Sequence, residues 1–446
     1  LGRLNLFIKD RYLFTANIRR DGSSRFGSDR RWGWFPSLSA GWRLTEEDFM
    51  KGIDWLSNMK LRVSYGMVGN NDIGNYSAIG TLGNYNAILG EPQNLVPGAA
   101  PASFSNTLLG WEKTATTNFG VEVGFLKDRF QISTDYFIAN AYDLLVNLEI
   151  PTVTGFGNSV QNVGKIQNKG LEFEISSVNI NKAFKWNTSF NISTVKNEVL
   201  ELGRDGAPIY GYQFGFNMTI TEIGQPAGSY YMFKQEGVYM DQADFDSHPH
   251  YKQQQVGDIK YLDYNKDDVI DNDDVHIVGD PYPDFYWGLE NSFSYKNFDL
   301  SISIDGQHGA DGLFSFMRSG GQSRGNELSF WKNRWRSEED PGDGMTPRAV
   351  VSTNMTTPSS FWLFDATYWM VRNINLGYNF PTDLSSKIPG VRSLRLYARV
   401  ENPFIHDHFH GTPMASSLGN TATLPNNEYS TYPFATTYTF GINLKF

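Results

Sequence analysis

Hydrophobic and polar residues alternate along most of this chain. Tyr12, Phe14, Ala16 and Ile18 fall on one face of an extended segment, with Thr15, Asn17 and Arg19 on the other. Phe119, Val121, Val123 and Phe125 oppose Asn118, Gly120, Glu122 and Gly124, and Phe298, Leu300, Ile302 and Ile304 oppose Asp299, Ser301, Ser303 and Asp305. A period of two belongs to a strand whose two faces meet unlike surroundings. The pattern predicts about fifteen strands. They lie near 3–8, 11–20, 34–44, 60–68, 117–126, 129–139, 168–177, 184–194, 214–222, 230–239, 285–295, 298–306, 368–380, 392–402 and 434–446. Many run to about ten residues, longer than the ~5–6 of soluble sheets and matching the roughly nine to eleven of a tilted membrane-spanning strand.

The connections alternate too. Tight turns are expected at Lys9-Asp10, Lys127-Asp128 and Lys296-Asn297, and long loops near 69–116, 140–167, 195–213, 240–284, 307–367 and 403–433. Short turns on one side and long loops on the other form the layout of an outer-membrane barrel, with the long loops extracellular. The fold class expected is therefore all-β, an antiparallel transmembrane β-barrel of which residues 1–446 form a portion. If the Lys-Asp turns face the periplasm, an odd strand count returns Phe446 to the periplasmic side. The terminal stretch Tyr438, Phe440, Ile442, Leu444 and Phe446 then serves as the barrel-closing strand.

Composition narrows the alternatives. The 446 residues are 40% hydrophobic, 15% aromatic and 19% charged, and no apolar run is long enough for a transmembrane helix. There are no cysteines, which removes disulfide scaffolds and thiol chemistry. The net charge of −10 argues against a nucleic-acid partner. Leu1-Gly2-Arg3-Leu4 reads as strand interior rather than as a secretory signal, so the chain is expected to be part of something longer.

Several blocks resemble SusC/RagA-type TonB-dependent transporters. They are Arg11 to Gly27 (RYLFTANIRRDGSSRFG), Trp34 to Trp42, Leu61 to Ile73, Trp111 to Thr114 with Asn118-Phe119-Gly120, and Gly257-Asp258-Ile259-Lys260-Tyr261. The stretch Glu401 to His410 departs from the family pattern. The resemblance implies a barrel of about twenty-two strands around an N-terminal plug, of which this chain would be the C-terminal part. It further implies active import of a large nutrient, a glycan or oligopeptide, across the outer membrane. The partners implied are a SusD-type surface lipoprotein, the TonB-ExbB-ExbD motor acting through the N-terminal part, and outer-membrane lipid. A passive porin and a soluble all-β glycan-binding protein are the alternative readings.

One motif stands apart from the strands. From Asp263, side-chain oxygens fall at positions 1, 3, 5, 9 and 12 of a loop, as Asp263, Asn265, Asp267, Asp271 and Asp274, with the Val269 carbonyl at position 7. That is the ligand spacing of an EF-hand-type calcium loop, although Asp268 stands where glycine is usual and Asp274 where glutamate is. His406, His408 and His410 share one face of an extended segment, a weaker metal signal than a polar loop tip with incidental histidines. His248-Pro249-His250 is weaker still. No nucleophile elbow or His-Glu-x-x-His motif occurs, so an enzyme is not expected. Loop aromatics, among them Tyr76, Tyr85, Trp111, Tyr210, Tyr212, Phe214, Phe314, Phe316, Trp331 and Trp335, are candidates either for stacking on cargo or for packing the loops together.

Overall fold

The structure, a computed structural model, describes residues 1–203, 205–319, 327–349, 357–385, 387–413, 423–429 and 431–446. Parts of the loop regions expected at 195–213, 307–367 and 403–433 lie outside the described residues. The long strands are β1 (Gly2–Ile8), β2 (Tyr12–Gly22), β3 (Trp32–Arg43), β4 (Leu56–Asn70), β5 (Glu112–Phe125), β6 (Phe130–Tyr142) and β7 (Lys165–Asn181). They continue as β8 (Phe184–Ser193), β9 (Phe285–Tyr295), β10 (Phe298–His308), β11 (Tyr368–Asn379), β12 (Ser393–Asp407) and β13 (Thr437–Lys445). Contacts divide the chain into two compact units. The first comprises Leu1–Ile175, Lys196–Ala207 and Glu222–Gly224, and the second Ser176–Val195, Pro208–Thr221 and Gln225–Phe446.

In the first unit the hydrogen-bonded order is β1-β2-β3-β4-β5-β6-β7, and Lys196–Glu201 pairs with β7. The register stacks like residues in rows. Leu6, Phe14, Ala40, Val63, Phe119 and Tyr136 lie side by side on one face. One position along each strand, Asn5, Thr15, Ser39, Ser64 and Asn118 line up on the other. Exposure follows chemistry, since Leu6, Phe14, Val63, Phe119 and Tyr136 stay open on the apolar face. Connections 23–31, 71–111 and 143–164 gather over a small core of Phe26, Phe35, Ile73, Leu109 and Trp111. The Trp111 indole N–H donates to the Arg31 carbonyl at 3.1 Å.

The second unit repeats the scheme in the order β7-β8-β9-β10-β11-β12-β13. Trp186, Phe293, Leu300, Leu376, Ala398 and Phe440 form one row, and Asn187, Ser292, Ser301, Asn375, Arg399 and Thr439 form the opposite one. Most connections alternate in length: 9–11, 126–129, 182–183 and 296–297 are tight turns and 71–111, 194–284, 309–367 and 408–436 are long, whereas 44–55 and 380–392, on the side of the tight turns, are intermediate and longer than 23–31 opposite. Lys9 and Asp10 both have φ 53°, the left-handed pair of a type I′ turn.

Two expected strands belong elsewhere. Residues 214–222 and 230–239 do not join the long strands; they contribute Phe216–Thr221, Ser229–Met232 and Gln235–Val238 to two small sheets inside the single connection 194–284. Met218, Thr219, Ile220 and Thr221 are all buried, so both faces of that strand are covered. Alternation of Met and Ile with Thr matches a strand with one wet face and cannot distinguish it from this covered one.

Candidate functional site

The polar face of the long strands is a lattice of paired charges. In the first unit Arg43, Lys60, Glu122 and Ser133 occupy one row across β3 to β6. Glu122 takes ion pairs from Lys60 at 3.4 Å and from the Arg62 Nε at 3.1 Å. Arg62 also reaches Asp135 at 2.5 Å, although β5 runs between their strands. The residue of β5 registered between them is Gly120. A Cβ there would stand 2.6 Å from both Arg62 Nε and Asp135 Oδ1, so glycine opens the space through which the pair is made.

The second unit uses the same device. Asp299 on β10 and Arg395 on β12 pair at 2.5 Å across Gly377 of β11, where a Cβ would strike both side chains. Arg372 with Asp305 and Arg399 with Glu401 add further pairs at 2.5 and 2.6 Å. The two pairs made across a glycine are not readable from the sequence, because their partners sit on non-neighbouring strands and meet only through the register.

Above the polar strands of the second unit, the long connections fold on one another. Met218, Tyr230, Met232, Tyr261, Leu313, Met317, Trp331 and Trp362 form a core drawn from residues 194–284 and 309–367, joined by Phe409 and Leu424. Tyr230 is fully buried, and its hydroxyl lies 3.3, 3.1 and 3.3 Å from the carbonyls of Asp311, Pro425 and Asn426. Asp280 and Asp311 sit at the edge of this core. Burial first, and then neighbouring carboxylates, raises both above the usual carboxylate range. A cleft of ≈ 420 Å³ opens beside the core, walled by Tyr210, Tyr212, Phe216, Tyr231, Tyr251 and Lys252 among others. Aromatic walls with scattered polar groups suit a ligand that offers both ring faces and hydroxyl or amide groups.

The loop aromatics named from the sequence divide accordingly. Trp111, Phe314 and Trp331 are core residues, at 9%, 4% and 3% exposure. Trp335 donates to the Met240 carbonyl and packs under Gly257, while Phe214 meets Tyr429 edge to face and lies under Arg318. Tyr76, Tyr85, Tyr210, Tyr212 and Phe316 stay exposed, and of these Tyr210 and Tyr212 line the cleft.

The acidic loop is ordered by its own carboxylates. Asp263 accepts from the amides of Lys266, Asp267 and Asp268, and buried Asp274 accepts from Tyr264, Asn265 and Asp271. Asp271 caps the short 3-10 turn Asn272–Asp274. Asp268 adopts φ 62° at the position where calcium loops place glycine. Asn265, Asp267, Val269 and Asp271 are exposed. Among the described residues no three His, Asp or Glu side chains are grouped to hold a metal in the geometry shown. Of the three C-terminal histidines, His406 and His408 meet edge to face with ring centroids 5.4 Å apart, His408 also pairs with Asp365 at 3.1 Å, and His410 stacks on Phe330 instead. His248 meets the Tyr261 carbonyl, and His250 stacks on Phe245.

Strands with one apolar and one charged face, tight turns alternating with long loops, and loops that build their own core together define the wall of an outer-membrane β-barrel. The family model "TonB dependent receptor-like, beta-barrel" matches residues 2–403, and the chain belongs to that family of outer-membrane proteins. It is 30% identical over its whole length to TonB-dependent receptor P3 of Formosa agariphila, covering 45% of that protein. It is 32% identical to TonB-dependent receptor SusC of Bacteroides thetaiotaomicron, covering 43%. The chain thus spans less than half the length of these curated relatives. Among solved structures, the RagAB peptide transporter superposes with a TM-score of 0.80 over 99% of this chain and 46% of its own, at 23% identity.

Proposed function

We propose that this chain is the C-terminal part of the barrel of a TonB-dependent importer that takes up a large nutrient, a glycan or an oligopeptide. The observation that supports it is the combination of a self-paired polar face with a folded, aromatic-walled loop core on the same strands. Charges already neutralised by partners offer hydrogen bonds without strong fixed attraction, which suits a surface that must hold cargo briefly and release it. In this reading the long connections are extracellular and a SusD-type lipoprotein covers them. TonB with ExbB-ExbD acts through the N-terminal barrel and plug. Removing the two misassigned strands leaves the strand parity unchanged, so each connection keeps its side. RagAB, described as a peptide transporter, and SusC supply the precedent. The test is uptake by cells carrying the intact protein, with and without a protonophore. Energy-dependent uptake of a glycan or oligopeptide, lost on deleting the gene, is expected. Uptake that persists after the proton gradient is collapsed would identify a porin instead.

We also propose that the 263–274 loop binds calcium through Asp263, Asn265, Asp267, Asp271, Asp274 and the Val269 carbonyl. The left-handed backbone at Asp268 supports it, since that is the turn such a loop needs around the ion. The ligands Asn265, Asp267 and Asp271 would have to swing inward from their exposed positions. Calorimetry on the intact protein is expected to show EGTA-sensitive calcium binding that Asp263→Ala with Asp267→Ala abolishes. Absence of such binding in the unmodified protein would end the idea.

A further inference from the structure

The apolar row that contains Tyr12, Phe14, Ala16 and Ile18 on β2 continues to Arg20, a cation on the lipid-facing side of the sheet. Arg20 is registered opposite Trp34 of β3, and Trp32 follows on the same face. The Arg20 guanidinium lies 4.5 Å from the Trp32 ring and 5.3 Å from the Trp34 ring, and both indoles are 56% exposed. A guanidinium held over an indole by cation–π attraction still has its N–H groups to offer, and those N–H groups grip a phosphate with two bonds. Arg20 forms no ion pair among the described residues, whereas neighbouring Arg19 is taken by Asp21 at 2.6 Å and Arg25 lies 3.9 Å from Asp72.

Height and charge agree with that chemistry. From Tyr12 to Arg20 the strand climbs about 26 Å along its axis, or about 20 Å of membrane height at the usual tilt, close to the height of a barrel's lipid-facing band. Arg20 therefore stands at the headgroup level, where aromatic girdles lie. The surrounding hairpin 19–34 is locally basic, with five arginines against Asp21 and Asp29, on a chain of net charge −10; Arg19 and Asp21 pair on the opposite face and leave Arg20 with Arg25, Arg30 and Arg31.

We propose that Arg20, clasped between Trp32 and Trp34, binds the phosphate of a phosphorylated glycolipid of the outer leaflet. The proposal rests on the outward placement of the long connections. The test is native mass spectrometry of the intact detergent-purified protein, mixed with diphosphorylated lipid A, dephosphorylated lipid A, phosphatidylglycerol or inorganic phosphate. Retention of diphosphorylated lipid A is expected to fall about tenfold in Arg20→Gln and less in Arg20→Lys, which keeps charge but not the fork. Heat-modifiable migration of each variant reports that the barrel has folded. Equal retention of dephosphorylated lipid A or phosphatidylglycerol, displacement by inorganic phosphate, or a folded Arg20→Gln that binds like the parent would each overturn the proposal. Maleimide labelling of Ser28→Cys on whole cells separates the two readings. No labelling refutes the orientation, whereas labelling without lipid retention refutes the phosphate site alone.

Discussion

Replacing Gly120 with alanine puts a methyl group where the Arg62–Asp135 pair crosses β5, with 2.6 Å to either partner. One of the two must swing away, leaving half-buried charge without its counter-charge, and a loss of about 1–3 kcal/mol is expected. Urea unfolding of the detergent-solubilised protein measures it; a Gly120→Ala variant as stable as the parent would show that the pair adapts. Glu47 gives a pH-dependent counterpart at the base of β2 and β3. The Tyr12 hydroxyl donates to it at 2.6 Å, with Trp42 and Arg11 at 3.0 and 2.9 Å. These bonds, that of Tyr12 foremost, hold its carboxyl below the usual carboxylate range. Its stabilisation is therefore complete above the ordinary glutamate pKa and is lost as pH falls through the lowered value. Glu47→Gln is expected to flatten the acid limb of the stability–pH curve, and an unchanged limb would remove Glu47 from that role. At Asp268, the left-handed backbone favours glycine by about 1 kcal/mol. Because that backbone is already present without an ion, Asp268→Gly should leave the calcium affinity measured by calorimetry within about twofold of the parent, and a large change would show that the turn forms only on binding.

Among elements, the strand Ser229–Met232 ties the loop core together through the Tyr230 hydroxyl. Tyr230→Phe removes that group while keeping the ring, with an expected cost of about 1–2 kcal/mol. Limited proteolysis should then cut within 408–436 sooner than in the parent, and an unchanged digestion pattern would show that packing alone holds the connections. The long strands were legible because one face meets hydrocarbon and the other water, which writes a period of two into residues such as Phe298 to Asp305. The loop core was not legible, because its strands are covered on both sides: Thr219 is buried and donates to the Thr423 carbonyl. The same blindness placed Phe314 and Trp331 among candidates for cargo contact, although both fill the core. An aromatic residue in a long connection carries no mark in sequence of whether a second connection folds over it.

At the scale of the whole molecule, the alternation of connections predicts sidedness that the cysteine-free sequence makes simple to measure. A cysteine replacing Lys182, in the tight 182–183 turn, should react with an impermeant maleimide only after the outer membrane is opened, whereas one replacing Ser28 should react on whole cells. The reverse pattern would invert the barrel and, with it, the proposed route of import. The fold itself carries a further consequence for the order of events during biogenesis. The contacts of Tyr230 with Pro425 and Asn426 span 195 and 196 positions of the chain. Loop closure over such separations is slow and entropically costly, and those partners do not exist until the last hairpins have been delivered. The loop core therefore cannot be complete before residues 425 and 426 are delivered, so the connection that opens at residue 194 waits for the one that closes at 436.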